Sequence, residues 1–282
     1  RSLYYAGIAY ELGYPVNVAT HLGSYEQLDG DAQAAVAEAI RALAIRWPED
    51  NQIAIAASLL ARLGKDWKLA ESLIRPVLER SPEDIRAVML WTQLMIDQSS
   101  ESPFTLLAKT VAAYPDNQEL RLQYARLLGS ERDYASAQQQ FSILLERDPD
   151  NSELLSTAAL LDFELEYFDA ALQKFQQLIT LEARLDEANY YIGRIEMGRD
   201  RYPEAIEAFA AVGPSREFRD AKARASQLLI ETAFANDIKA FFDEQRRAYP
   251  SAAEQLFLLE ADSLRDWTGE SLKAYDLSLI HI

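Results

Sequence analysis

The stretch DPDNSELLSTAALLDFELEYFDAALQKFQQLITLEARL, residues 148–185, decides the fold of this chain of 282 residues. Asp150 and Asn151 follow a proline, and both are residue types that cap the N-terminus of a new helix. A helical stripe of leucines and alanines comes next, a break falls near residues 166–169, and a second apolar stripe follows. The segment therefore predicts a helix–turn–helix unit.

The same unit recurs along the chain with a period of about 34 residues, which is typical of repeat proteins. Three columns share this period: the prolines of WPEDN, SPEDI, YPDNQ and DPDNS, a set of alanines, and a set of large apolar residues. They are Pro48, Pro82, Pro115 and Pro149; Ala70, Ala137, Ala171 and Ala205; and Ile74, Phe141, Phe175 and Phe209. Neither helix of a unit can cover its own apolar stripe, so the units must stack, and the repeat predicts an α-solenoid.

We expect one solenoid over residues 1–282, built from eight units. They span residues 17–50, 51–84, 85–117, 118–151, 152–185, 186–216 and 217–252, with a partial unit at 253–276. Residues 1–50 can be parsed in two ways. A helix pair is expected at 253–275, and residues 277–282 abandon the pattern and are expected to be a non-native tail.

Two units depart from the pattern in ways that predict local differences. Ser99 to Pro103 stand where the turn of the 85–117 unit belongs, so its second helix should start late. The 186–216 unit ends early, at Gly213-Pro214, which predicts a kink or a changed superhelical pitch there.

Composition disfavours several functional classes. The net charge of −17 makes a nucleic-acid binder improbable, because such proteins need Lys and Arg to displace counterions from phosphate. The chain has no cysteine and only two histidines, which leaves little material for a metal site or a nucleophile–base pair. Paired carboxylates are numerous but are expected on solvated helix faces. We therefore predict no catalytic residue, no metal and no cofactor.

This pattern resembles the tetratricopeptide repeat (TPR), a 34-residue helix–turn–helix unit. The family's small residue late in the first helix is matched by Ser58, Ala125, Ala159 and Gly193, and its early second-helix alanine by the alanine column above. The resemblance covers nearly the whole chain. It implies an all-α, right-handed α-solenoid of tandem TPR units whose first helices line a concave face.

The resemblance also implies that ligands bind in that concave groove. Carried over position by position, the groove residues are Ile55, Leu59, Arg62, Met89, Gln93, Leu122, Arg126, Leu160, Phe163, Tyr190, Arg194 and Met197. Aromatic, methionine and arginine side chains suit a groove that accepts a peptide or a helical segment of a protein partner. The Lys and Asn clamp of chaperone-tail-binding TPR proteins is absent, so an acidic carboxyl-terminal tail should not bind in that manner.

Several strings, among them RSLYYAGIAYELG at residues 1–13 and DEANYYIGRIEMG at 186–198, resemble a group of proteobacterial TPR lipoproteins. That resemblance implies a periplasmic, outer-membrane-associated adaptor, with membrane contact only through an upstream lipid anchor. It would bind a carboxyl-terminal-processing protease and deliver cell-wall hydrolases to it. A cytoplasmic location stays open.

Two other functions also stay open. The chain could be the regulatory arm of an envelope polysaccharide or glycosyltransferase machine whose catalytic part lies outside it, or it could self-assemble through exposed end repeats. The leading hypothesis is a non-enzymatic scaffold or adaptor that binds protein segments.

Overall fold

The computed structural model describes residues 30–100, 103–232 and 235–280, and these residues form an all-α structure of tandem helix pairs without β-strands. The chain divides into two compact units, Arg1–Tyr124 and Ala125–Ile282. Each unit is described by itself below. No helix of the described part is both long and apolar enough to cross a membrane.

The described part of the first unit consists of five complete helices and the start of a sixth. They are α1 (Gly30–Arg46), α2 (Asn51–Leu63), α3 (Trp67–Arg80), α4 (Ile85–Asp97), α5 (Thr105–Ala113) and α6 (Gln118–Ser130). The boundary between the two units falls within α6. The first half of the predicted 17–50 repeat lies outside the described residues.

The second unit contains the end of α6 and eight further α-helices. They are α7 (Tyr134–Arg147), α8 (Ser152–Glu164), α9 (Phe168–Thr180), α10 (Leu185–Gly198), α11 (Tyr202–Ala211), α12 (Phe218–Thr232), α13 (Ala235–Ala248) and α14 (Ala253–Ile280), with a 3₁₀ turn at Pro250–Ala252 before the last. First helices begin at residues 51, 85, 118, 152 and 185, close to the 34-residue period of the sequence.

The small residues of the repeat lie where two helices of a pair touch. The Ser58 hydroxyl of α2 donates a hydrogen bond to the carbonyl of Ala70 in α3, at 2.8 Å, and both residues are fully buried. In the second unit, a Cβ added to Gly193 would lie only 2.7 Å from the ring of Phe209. The large apolar column is buried too, since Phe175 and Phe209 are both 0% exposed. Close helix approach therefore explains why small and large residues alternate in the repeat.

The turns between paired helices share a backbone conformation that sequence inspection does not reveal. Lys65, Ser99, Arg132, Glu166 and Asp200 all have positive φ angles, between 54° and 64°, and follow one another at the repeat period. None of them is glycine. Left-handed backbone at an ordinary residue costs about 1 kcal/mol, so each turn is held in this conformation by the packing of its two helices.

Of the two residues predicted to cap a helix, one does so and the other does not. The side chain of Asn151 accepts hydrogen bonds from the amides of Glu153 and Leu154 and caps α8. Asp150, also expected to cap, instead accepts a hydrogen bond from the Gln177 amide at 2.9 Å. Asp50 and Asp84 cap α2 and α4 in the same way as Asn151.

The structure differs from the sequence-based prediction at the C-terminal end. Residues 253–275 do not form a helix pair, because Ala253–Ile280 is one continuous helix of 28 residues. This stretch has no proline to interrupt its backbone hydrogen bonds, and a single glycine at 269 costs too little to end a helix. The helix runs through most of residues 277–282, and their non-native origin stays a prediction. In the 85–117 repeat, the second helix does start late, at Thr105.

Candidate functional site

The predicted groove residues of the first unit lie on α2, α4 and α6, and they differ widely in exposure. Ile55 is only 4% exposed and packs with Ile74, Val77 and Ala87 in the core, so, contrary to the prediction, its side chain does not face an open groove. Its β-branched side chain fills the space between helices of adjacent repeats. Leu59, Met89 and Leu122 are half-buried.

Arg62 and Gln93 meet at a carboxylate that the sequence analysis did not single out. The Arg62 Nε donates to Asp97 Oδ2 at 2.6 Å, and the Gln93 amide donates to Asp97 Oδ1 at 3.3 Å. The hydrogen bond from Arg62 holds the pKa of Asp97 below its usual value, although burial acts in the opposite direction. The guanidinium of Arg62 is therefore engaged within the chain and ties α2 to α4.

In the second unit, three predicted residues converge with one that was missed. Phe163 of α8 and Tyr190, Tyr191 and Arg194 of α10 form what we call the aromatic–arginine cluster. The guanidinium carbon of Arg194 lies 4.6 Å from the ring centroid of Phe163, 5.6 Å from that of Tyr191 and 5.9 Å from that of Tyr190. These distances lie within the range at which a cation is attracted to aromatic rings.

The rings of the aromatic–arginine cluster are fixed by contacts with one another and with the core. The ring of Tyr191 stacks on Phe175 at 5.4 Å and 6°, and it meets Phe163 edge-on at 5.1 Å. Tyr190 and Tyr191 are also perpendicular, at 5.3 Å. Aromatic pairs at these separations add to the stability gained by burial alone. The cluster is therefore preorganised before any ligand arrives.

A hydrogen-bonded triad continues this surface onto α12. The Tyr190 hydroxyl donates to Asp220 Oδ2 at 2.6 Å, and Arg224 Nε donates to the same oxygen at 2.6 Å. Burial raises the pKa of Tyr190, and its hydrogen bond to Asp220 raises it further. Burial alone would raise the pKa of Asp220, but the hydrogen bonds from Arg224 and Tyr190 outweigh it and lower the pKa.

The remaining predicted residues of the second unit flank the aromatic–arginine cluster or lie apart from it. Leu160 is half-buried and packs with the same apolar cluster as Phe163. Met197 is half-buried and, like Tyr190, packs against the apolar cluster that contains Phe209 and Phe218. Arg126 is exposed, and its guanidinium forms an ion pair with Glu153 at 2.6 Å.

A buried lysine lies on the next helix pair, and nothing in the sequence marks it. Lys222 of α12 is fully buried, and its Nζ donates to the carbonyls of Phe209 at 3.1 Å and Ala210 at 2.6 Å. These carbonyls belong to the last turn of α11, where helix carbonyls lack intrahelical partners. Burial lowers the pKa of Lys222 to about 7, against the charge of Asp186, which raises it. In the sequence, Lys222 looks like one cation on a solvated helix face.

Comparisons with known proteins agree with the repeat fold. A TPR repeat-containing protein of Pseudomonas aeruginosa is 29% identical over 108 residues, which is 34% of this chain and 18% of that relative. The match thus spans about a fifth of the relative's length. No protein-family model matches the chain.

Solved structures that align with parts of the chain include proteins described as TPR proteins. A tetratricopeptide repeat protein from Parabacteroides merdae is 12% identical, covers 86% of this chain and 97% of its own, and has a TM-score of 0.45. YrrB, described as a TPR protein with an unusual peptide-binding site, is 17% identical. The alignment covers 61% of this chain and 87% of YrrB, with a TM-score of 0.41. Alignments at these scores carry no information about function.

Proposed function

We propose that this chain, a tandem array of tetratricopeptide-type helix pairs, is a non-enzymatic scaffold that binds segments of partner proteins on the faces of its first helices. The observation that carries the proposal is the aromatic–arginine cluster, which lies on the first helices α8 and α10 of two successive repeats. Tyrosine and arginine are the residue types that dominate the energy of protein interfaces, especially where their side chains are fixed beforehand.

The second helix α9, which follows α8, offers less for such binding. On α9, residues Ala171, Phe175 and Leu178 face the core and are fully buried, whereas Gln173 and Gln176 are exposed. A polar exposed face with a buried apolar stripe is an ordinary solvated helix surface. Among the described residues, no group of three His, Cys, Asp or Glu side chains could hold a metal ion. The proposal therefore assigns binding to the first-helix face and invokes no chemistry.

The experiment that tests the proposal uses the whole chain as bait in cells of its source organism. Phe163→Ser removes one ring of the aromatic–arginine cluster, and Tyr167→Ser removes an exposed aromatic ring in the turn between α8 and α9. We expect Phe163→Ser to lose the partners that the unaltered chain captures and Tyr167→Ser to retain them, with both variants helical by circular dichroism. Equal capture by both variants would place the binding surface elsewhere.

We further propose that the captured proteins are a carboxyl-terminal-processing protease and its cell-wall hydrolase substrates, and that the protein works in the bacterial periplasm at the outer membrane. This rests on the resemblance of strings such as DEANYYIGRIEMG, at residues 186–198, to periplasmic TPR lipoproteins. In a reconstituted reaction, the chain should accelerate degradation of a hydrolase by the protease. An unchanged degradation rate would reject the adaptor role and leave the scaffold role standing.

A further inference from the structure

We propose that the aromatic–arginine cluster is a subsite for one side-chain carboxylate, an Asp or Glu that stands inside an otherwise apolar segment of the ligand. This inference rests on the proposed function, because it names the ligand chemistry of the same first-helix face. Three observations support it. The Arg194 guanidinium has no hydrogen bond or ion pair with the described residues, carboxylates surround it, and apolar side chains lie on either side of it.

The Arg194 guanidinium is free to bind, unlike those of the other two predicted groove arginines. Arg62 is bonded to Asp97 and Arg126 to Glu153, each at 2.6 Å. With the residues that the structure describes, Arg194 forms neither an ion pair nor a hydrogen bond through its guanidinium, and its contacts there are with aromatic rings. Its N–H donors are therefore available to a ligand.

The rings also prepare Arg194 for a carboxylate. Contacts of a guanidinium with aromatic rings do not replace hydrogen bonds, so N–H donors of Arg194 can still bind a ligand. A carboxylate can accept two parallel hydrogen bonds from such a group, and this pairing is stronger than a neutral hydrogen bond. Because Arg194 is already half-buried against three rings, little side-chain entropy remains to be lost on binding.

The surrounding charges favour a single carboxylate over a run of acidic residues. Burial raises the pKa of Tyr191 and the Arg194 charge lowers it, but the negative charges of Glu187, Glu164 and Glu217 raise it again. These three carboxylates lie close enough to act on the cluster, and the whole chain carries a net charge of −17. Asp220 also feels the Arg194 charge, which helps to lower its pKa. A polyacidic ligand would be repelled by these carboxylates, whereas one carboxylate can pair with Arg194, which forms no ion pair with the described residues.

Apolar side chains lie on both sides of Arg194, which favours an internal residue over a chain terminus. Leu160 and Phe163 lie on α8, and on α10 Tyr190 lies four residues before Arg194 and Met197 three residues after it; all four are half-buried. A ligand that places its carboxylate on Arg194 can therefore continue over apolar surface in both directions. The ligand segment that fits this surface therefore has one acidic residue with apolar residues before and after it.

The test measures binding of three fluorescent peptide libraries to the full chain by anisotropy. The first has acetyl and amide ends and a central Glu flanked by mixed Ala, Leu, Met and Phe. The second replaces Glu with Gln, and the third ends in a free carboxylate without any Glu. The proteins are the unaltered chain, Arg194→Gln, Arg194→Lys and, as a matched control, Arg265→Gln at an exposed arginine of α14, all checked for helicity by circular dichroism.

We expect the Glu library to bind the unaltered chain at least about tenfold more tightly than the Gln library, since a charge-assisted bidentate pair is worth more than one factor of ten. Arg194→Gln should abolish that preference, Arg194→Lys should retain part of it, and Arg265→Gln should keep it in full. Equal binding of the Glu and Gln libraries would overturn the inference while leaving peptide binding intact. A preference seen only with the free-carboxylate library would overturn the internal placement, and no binding of any library would contradict the proposed function as well.

Discussion

The buried lysine of α12 makes the stability of the second unit depend on pH in a direction that can be worked out from the structure. Lys222 is fully buried and its pKa is lowered from 10.5 to about 7 by burial. Between these two values, the unfolded chain binds a proton that the folded chain does not. The free energy of unfolding therefore rises with pH in this window, by about 1.4 kcal/mol per pH unit. Below about pH 7 both states are protonated, and the whole penalty for burying the charge is present.

The comparison that isolates this effect is Lys222→Met, a change that keeps an unbranched side chain of similar length. From about pH 7.5 to about pH 9, the unaltered chain should gain about 2 kcal/mol of stability and the variant almost none. The window stops below the range in which tyrosines titrate. The free energy of unfolding at a single pH does not isolate the effect, because the substitution has two opposing consequences. It removes the penalty for burying the amine, but it leaves the carbonyls of Phe209 and Ala210 without that donor.

The assay is urea unfolding followed by the fluorescence of Trp267, which packs against the apolar cluster around α12. Replacing Trp47, Trp67 and Trp91 with Phe in both proteins removes the signal of the first unit. If the variant shows the same rise of stability with pH as its parent, Lys222 is not the group responsible and its placement in the core is wrong.

Three further predictions test the packing of the repeats. Gly193→Ala should destabilise the second unit by about 1–3 kcal/mol, because the new methyl group meets the Phe209 ring, whereas Gly198→Ala, with open space around it, should be neutral or slightly stabilising in thermal unfolding. Asp162→Ala should cost about 3 kcal/mol, because Asp162 is 0% exposed and pairs with Lys174 at 2.6 Å; Asp169→Ala, which removes an exposed partner of Arg199, should leave urea unfolding unchanged. Glu166→Gly should stabilise the second unit by about 0.5–1 kcal/mol, because glycine adopts the φ of 61° found there without strain. Gln173→Gly, in the exposed middle of α9, should destabilise it by about 1 kcal/mol. Equal effects of the two substitutions on urea unfolding would refute backbone strain at the turn.

The helix–turn–helix pattern could be predicted from the sequence because the residue types that define it have fixed packing roles and therefore recur at the repeat period. Alanines such as Ala171 allow helices to approach, and phenylalanines such as Phe175 fill the space beside them, so both leave a periodic trace. The turn conformation at Glu166 and its counterparts left no such trace, because the residue types there are ordinary and the packing of the helices imposes the angle. The end of the chain was misjudged for a related reason: continuity of α14 depends on the absence of a strong stop signal, which a periodic pattern does not report.

The candidate site was predictable in part. Phe163, Tyr190 and Arg194 could be placed together from the repeat register, since equivalent positions of successive first helices become neighbours when repeats stack. Register alone could not show that Ile55 is buried or that Arg62 is paired with Asp97, because these depend on which side chains adjacent helices supply. Tyr191 was missed although it adjoins a predicted residue, and Lys222 had no signal in sequence at all.

The most direct test of the binding face is photo-crosslinking from two positions of the full chain in the cell. A photoreactive phenylalanine analogue at position 197 lies on the first helix α10, three residues after Arg194, and the same analogue at position 173 lies on the exposed face of the second helix α9. We predict discrete crosslinked protein adducts from position 197 and none from position 173. Adducts from position 173 alone, or equal adducts from both, would contradict the assignment of binding to the first-helix face.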